Sequence, residues 1–135
     1  MNGGPIDWRA LFTAPGGRSA RAPFWIAVAS LFTLSAIYEV VAGPALKFLT
    51  FWFVYPVLLA SGACVASKRL HDRGRSGWWA ALVLFAVILI WPTPYGARAV
   101  IALPVMIWTI VELGLLPGEQ GSNRFGPSPV TVAAG

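Results

Sequence analysis

Four apolar runs, residues 23–42, 46–67, 77–95 and 98–116, occupy most of this chain. Each is near the roughly 17 to 25 residues that carry a helix across the hydrocarbon core of a bilayer. Little polar material is left to coat a soluble globule. Charged residues make up 11% of the chain, hydrophobic residues 57%, and the mean hydropathy is +0.69, whereas a soluble domain carries about 25% charged residues. The expected fold is all-α: residues 1–135 form a single membrane domain, a bundle of four transmembrane helices with a short N-terminal interfacial helix and an irregular C-terminal tail.

The third run is the clearest. Trp78, Trp79 and Trp91 bracket an uncharged stretch holding Leu82, Val83, Leu84, Phe85, Val87, Ile88, Leu89 and Ile90, each favouring insertion by about 0.3 to 0.6 kcal/mol. Pro92, Pro94 and Gly96 stop it abruptly, which leaves open an arrangement in which runs three and four form one broken unit. Pro56 and Pro104 each remove a backbone donor and are expected to kink their helices. In the second run Gly62 and Ala66, like Ala63 and Ser67, are spaced four apart and offer a face for close helix approach. The first run is too long for the apolar core of a cleavable leader, so no signal peptide is expected, although Ala42, Gly43 and Ala45 imitate a cleavage site.

Orientation follows from the basic residues on alternate sides of the spans. Arg9, Arg18, Arg21, Lys68, Arg69, Arg73, Arg75 and Arg124 fall on one side, and only Lys47 and Arg98 on the other. Positive charge is retained in the cytoplasm, so both termini are expected inside a bacterial cytoplasmic membrane. The same bias argues against insertion in two opposite orientations. Before the first span, Trp8, Leu11 and Phe12 recur at helical spacing and suit one or two turns lying in the interface. The tail from Pro117 carries four glycines and three prolines and no apolar period, so it is expected to be irregular.

The net charge of +5 sits between apolar runs rather than on a soluble face with exposed aromatics, which points to an anionic lipid surface and away from nucleic acid. One cysteine, Cys64, and one histidine, His71, leave no basis for a disulfide or a metal site, and no cofactor is expected.

Three polar segments fall on the side expected to be cytoplasmic: Gly17 to Trp25, Arg69 to Trp79, and Pro117 to Pro127. Their patterns, G-R-x-x-R-x-x-F-W, R-L-H-D-x-x-R-S-G-W-W and G-x-x-G-x-N-R-F-G-P, resemble those of the domain-of-unknown-function family DUF805, small bacterial inner-membrane proteins. The resemblance covers nearly the whole chain. It implies a membrane location, with no activity, substrate or cofactor to carry over. Residues 78 to 116 are longer here than in many members, so the resemblance does not settle on which side the tail lies.

Physically, the middle motif reads as a short basic turn between spans. Asp72 is the expected partner of Arg69, Arg73 or Arg75, Gly74 and Gly77 allow the reversal, Ser76 is placed to cap the third span, and Trp78 anchors the interface. These residues order the loop and hold it inside. A second reading gathers Arg18, Arg21, Arg69, Arg73, Arg75 and Arg124, with His71, Asp72, Ser76, Trp78 and Asn123 around them, into a basic cluster for an anionic lipid headgroup or phosphate, to which the planar guanidinium fork is suited. A hydrolase triad of His71, Asp72 and Ser76 is disfavoured because the imidazole and carboxylate are adjacent in sequence and no oxyanion hole is recognisable.

Glu39 and Glu112 lie about one turn from helix ends. Glu112 is expected to pair with an arginine of the middle loop, and Glu39 with Lys47 or Arg98. The expected function is non-enzymatic, a protein that contacts anionic lipids and packs with itself or a larger membrane partner. The alternative is a small transporter or transporter accessory using Glu39 or Glu112.

Overall fold

Inside a bilayer no water is available to backbone N–H and C=O groups, so a chain this apolar must satisfy them within its own helices. The structure, a computed structural model, describes residues 6–129. They form α1 (Trp8–Thr13), α2 (Arg21–Val41), α3 (Pro44–Asp72), α4 (Trp79–Ile90) and α5 (Gly96–Thr109), the last running on into a π-helical turn, Ile110–Leu115. Among the described residues the β-structure is one isolated bridge, Asn123 to Gly126. Residues 130–135, the end of the tail expected to be irregular, lie outside the described residues, as do residues 1–5.

Among the described residues three helices are long and apolar enough to cross a membrane: α2, α3, and α5 together with its π-helical turn. The fourth apolar helix, α4, has 12 residues, about 18 Å at 1.5 Å per residue and short of the hydrocarbon thickness on its own. Its start lies beside the end of α5, where the Trp79 and Trp108 rings are 5.8 Å apart. The third and fourth runs are therefore two antiparallel helices packed along each other. Both α3 and α5 continue through their prolines, Pro56 and Pro104.

The helix α3 corrects the expected boundary. The apolar run was expected to end at Ser67 and give way to a basic turn, yet the helix continues to Asp72. Arg69 and Asp72 stand one turn apart on it and pair, so the motif begins inside a helix and the loop proper is only residues 73–78. At 29 residues, about 44 Å, α3 overshoots a bilayer core of about 30 Å. Its last turns, Val65 to Leu70, are buried by other parts of this chain. The N-cap position of α4 falls on Trp78, without a side-chain bond, and the Ser76 hydroxyl two residues earlier accepts from the Trp78 N–H at 3.4 Å.

Packing is concentrated at one end. Leu11 of α1, Phe24 and Ala27 of α2, Val65 and Leu70 of α3, Ala80 and Val83 of α4, and Leu113 of the π-helical turn form one buried cluster. Small residues let the backbones approach there. α1, whose first turn is capped by the Asp7 carboxylate accepting from the Ala10 N–H at 3.0 Å, enters this cluster through Leu11. At the other end the helices are tied by polar contacts. Lys47 donates to Glu39 at 2.7 Å, the Tyr55 hydroxyl donates to the same carboxylate, and Trp91 Nε1 donates to the Tyr55 hydroxyl at 3.4 Å.

At Gly114 the Trp25 indole packs directly on the backbone, its Nε1 donating to the Gly114 carbonyl at 3.0 Å. A methyl group at Gly114 would overlap the ring. Gly114→Ala is expected to expel the indole and lower stability by about 1 to 3 kcal/mol, the usual cost of overpacking, read as a lower thermal midpoint in detergent.

Candidate functional site

A carboxylate with 3% side-chain exposure, Asp72, sits between two guanidiniums that are just as inaccessible, Arg18 at 1% and Arg69 at 0%. Arg18 pairs with Asp72 Oδ1 at 2.9 Å, while Arg69 pairs with Oδ2. Burying charge is tolerable only when each ion is matched and its remaining hydrogen-bonding capacity is used. Here it is used. No buried side-chain nitrogen or oxygen among the described residues lacks a partner.

Carbonyls from distant parts of the chain complete the arginines. Arg69 donates through Nε to the Leu113 carbonyl at 2.6 Å, through a terminal nitrogen to Leu116 at 2.6 Å, and to Ser19 at 3.2 Å. Arg18 donates to the carbonyls of Glu119 at 2.5 Å, Gly121 at 2.7 Å and Gly126 at 3.2 Å. Arg21 reaches the Leu115 carbonyl at 2.9 Å. The acceptors at residues 113 to 116 exist because the last helical turn is π-helical and its end carbonyls are free, at the negative end of the helix dipole.

Backbone contacts seat the tail on the same point. The Glu119 N–H donates to the Asp72 carbonyl at 2.7 Å, and the chain passes so close at Gly118 that a side-chain carbon there would overlap the Asp72 carboxylate. Asn123 donates to the His71 carbonyl at 2.9 Å and to Glu119 at 2.8 Å. The Phe125 ring stacks on His71 at 3.9 Å. On its other side His71 Nδ1 is bonded to the Gly17 carbonyl at 2.9 Å, and Lys68 donates to Gly16. Thus the segment before α2, the end of α3 and the tail form one clasp.

Beside it, Glu112 holds the loop. Arg75 Nε donates to Glu112 Oε1 at 2.8 Å, and Arg73 reaches the same oxygen at 3.2 Å. The carboxylate is 10% exposed, against 42% for the Arg75 side chain.

The candidate residues thus separate into two groups. Arg18, Arg69, His71, Asp72, Arg73 and Asn123 turn inward. Arg75 and Arg124 are exposed, Arg124 lying over the Phe125 ring at 4.7 Å, as are Arg21 and Trp78. Asp72 takes Arg69 as expected, but its second partner is Arg18 rather than Arg73 or Arg75. Ser76, His71 and Asp72 make no hydrogen bonds to one another, their partners being Trp78, Gly17 and the two arginines. Sequence reasoning missed the role of the main-chain carbonyls, which leave no mark in residue identity. A polar cavity of about 520 Å³ adjoins the clasp, with Arg21, Arg69, Asp72 and Glu119 in its walls.

Residues 12–127 match the family described as "Protein of unknown function (DUF805)". The chain belongs to this family. The match takes in every residue of the clasp, from Gly16 to Gly126. Among similar proteins of Escherichia coli strain K12, the uncharacterized protein YiiR is 34% identical over 121 residues, 82% of each chain. The inner membrane protein YhaI is 29% identical over 116 residues, covering 84% of this chain and 83% of its own. The inner membrane protein YhaH is 35% identical over 66 residues, 48% of this chain and 40% of its own. No solved structure matches.

If Asp72 is the common counter-ion, its neutral isostere leaves two buried cations facing each other. Asp72→Asn is expected to cost about 3 to 5 kcal/mol, the usual result of removing one partner from a buried pair. Glu112→Gln should cost clearly less, since Arg75 is already half in solvent. Thermal unfolding of both variants in the same detergent checks the ranking.

Proposed function

We propose that this chain is a non-enzymatic, multi-pass protein of the bacterial inner membrane, crossing it four times, whose cytoplasmic face contacts anionic lipid headgroups. The supporting observation is the division of its basic residues. The clasp consumes Arg18 and Arg69, whereas Arg9, Arg21, Arg75 and Arg124 remain exposed at the same end of the bundle. The positive-inside bias puts that end, and both termini, in the cytoplasm. α4 completes the fourth crossing with the residues that flank it, and α1 lies at the interface with Trp8 outward.

Exposed arginines at a membrane surface each add about 1 kcal/mol of attraction to anionic lipid. Self-association or a larger membrane partner would use the lipid-facing helix surfaces. Glu39 and Glu112 are each held by cations of this chain, which supports a structural part for them over a part in transport.

Arg73 and Arg75 are poor choices for a test because they neutralise Glu112. The combination Arg9→Gln, Arg21→Gln and Arg124→Gln leaves Asp72 and Glu112 paired. Native mass spectrometry after mild detergent extraction is expected to show the preference for phosphatidylglycerol over phosphatidylcholine reduced by up to roughly a hundredfold, from about 1 kcal/mol per arginine. An unchanged lipid profile would refute the contact.

A further inference from the structure

Between α2, α3, α4 and α5 runs an apolar groove of about 420 Å³, and its geometry identifies an occupant. Along α2 its wall extends from Phe24 to Ser35, about 16 Å at 1.5 Å per residue. One end is closed by Leu113 and by Trp25, whose indole is latched to the Gly114 carbonyl. The other is closed by Trp91, which meets Phe32 at 5.7 Å between ring centres and donates to the Tyr55 hydroxyl. The groove opens sideways, because Trp25 and Phe32 on α2 and Ile110 after α5 line it while remaining 41%, 39% and 48% exposed.

The hydroxyls that border the groove are already engaged. Ser35 donates to the Leu31 carbonyl at 2.8 Å, Thr109 to Val105 at 2.7 Å, and Tyr55 to Glu39. A polar ligand would find no donor to meet it. An interior is normally packed to crystal density, so a void of this size that opens onto hydrocarbon is filled by hydrocarbon. A membrane-crossing helix of a second copy, about 30 Å long, cannot seat in a groove closed at both ends within about 16 Å. A flexible alkyl chain is thin enough.

We propose that the groove seats an acyl chain of a membrane phospholipid, entering sideways between α2 and α5. The headgroup then lies at the level of Arg21, one helical turn before Trp25 and exposed at the bundle end. This site rests on the lipid reading above only in its headgroup. The tail site is set by shape and does not depend on lipid charge.

The test uses the full chain in nanodiscs of phosphatidylcholine containing a small fraction of phosphatidylcholine with a diazirine on its acyl chain, and in parallel the phosphatidylglycerol equivalents. After illumination, cross-linked residues are mapped by mass spectrometry. Labelling is expected to be several-fold enriched at Val28, Leu31, Leu59 and Met106 over the outward-facing Leu49 and Phe53 with both lipids, and to fall several-fold in Ser35→Phe. Equal labelling of groove and outer surface in the wild-type protein would overturn the site, whether or not the variant folds. Groove labelling by phosphatidylcholine together with an unchanged lipid profile in the arginine variant would uphold the tail site while sinking the anionic contact.

Discussion

The arrangement turns on a single carboxylate. Asp72 stands at the end of the longest helix described, its side chain buried between guanidiniums from two different parts of the chain. Two buried arginines without it would repel each other and face the full cost of desolvation. With it they become a rigid double fork whose remaining N–H groups point away from the acid in fixed directions. Those directions are where the π-helical turn and the tail present carbonyls. An electrostatic pair thereby becomes a device for joining three segments, and the chemistry of arginine, many donors and a charge that does not titrate away, makes it the residue that can do so.

This changes how the basic motif is understood. A cluster of arginines between apolar runs suggests an open surface for anions. Two of these arginines, Arg18 and Arg69, face inward and are saturated. What stays exposed at that end is a thinner set, Arg9, Arg21, Arg75 and Arg124. The same tightening at the clasp end contrasts with the looser packing farther into the bundle, where the groove lies, so a firmly closed end and an open apolar flank belong to one design.

Much of the architecture was legible in residue order. Membrane-length apolar runs, the tryptophans around the third, the excess of positive charge on one side and the pairing of Glu112 with the middle loop all follow from composition and spacing. The end of α3 was not, because hydropathy falls at Lys68 whether or not the helix stops; only partners brought from elsewhere decide that it goes on. Nor was Arg18 as a ligand of Asp72, since a contact across 54 residues leaves no periodic signal. The π-helical turn is hidden for a related reason. Ile110 to Leu115 has the composition of ordinary helix, and the donors that meet its end carbonyls, Arg21, Trp25 and Arg69, lie far from it in sequence.

The most direct test of this account is amide hydrogen exchange of the intact protein in nanodiscs, comparing the wild type with Arg18→Gln. If Arg18 joins the tail to the end of α3, the amides of Glu119 and Asn123 lose most of their protection in the variant while those in the middle of α2 and α3 keep theirs. Tail amides equally protected in both proteins would contradict the clasp.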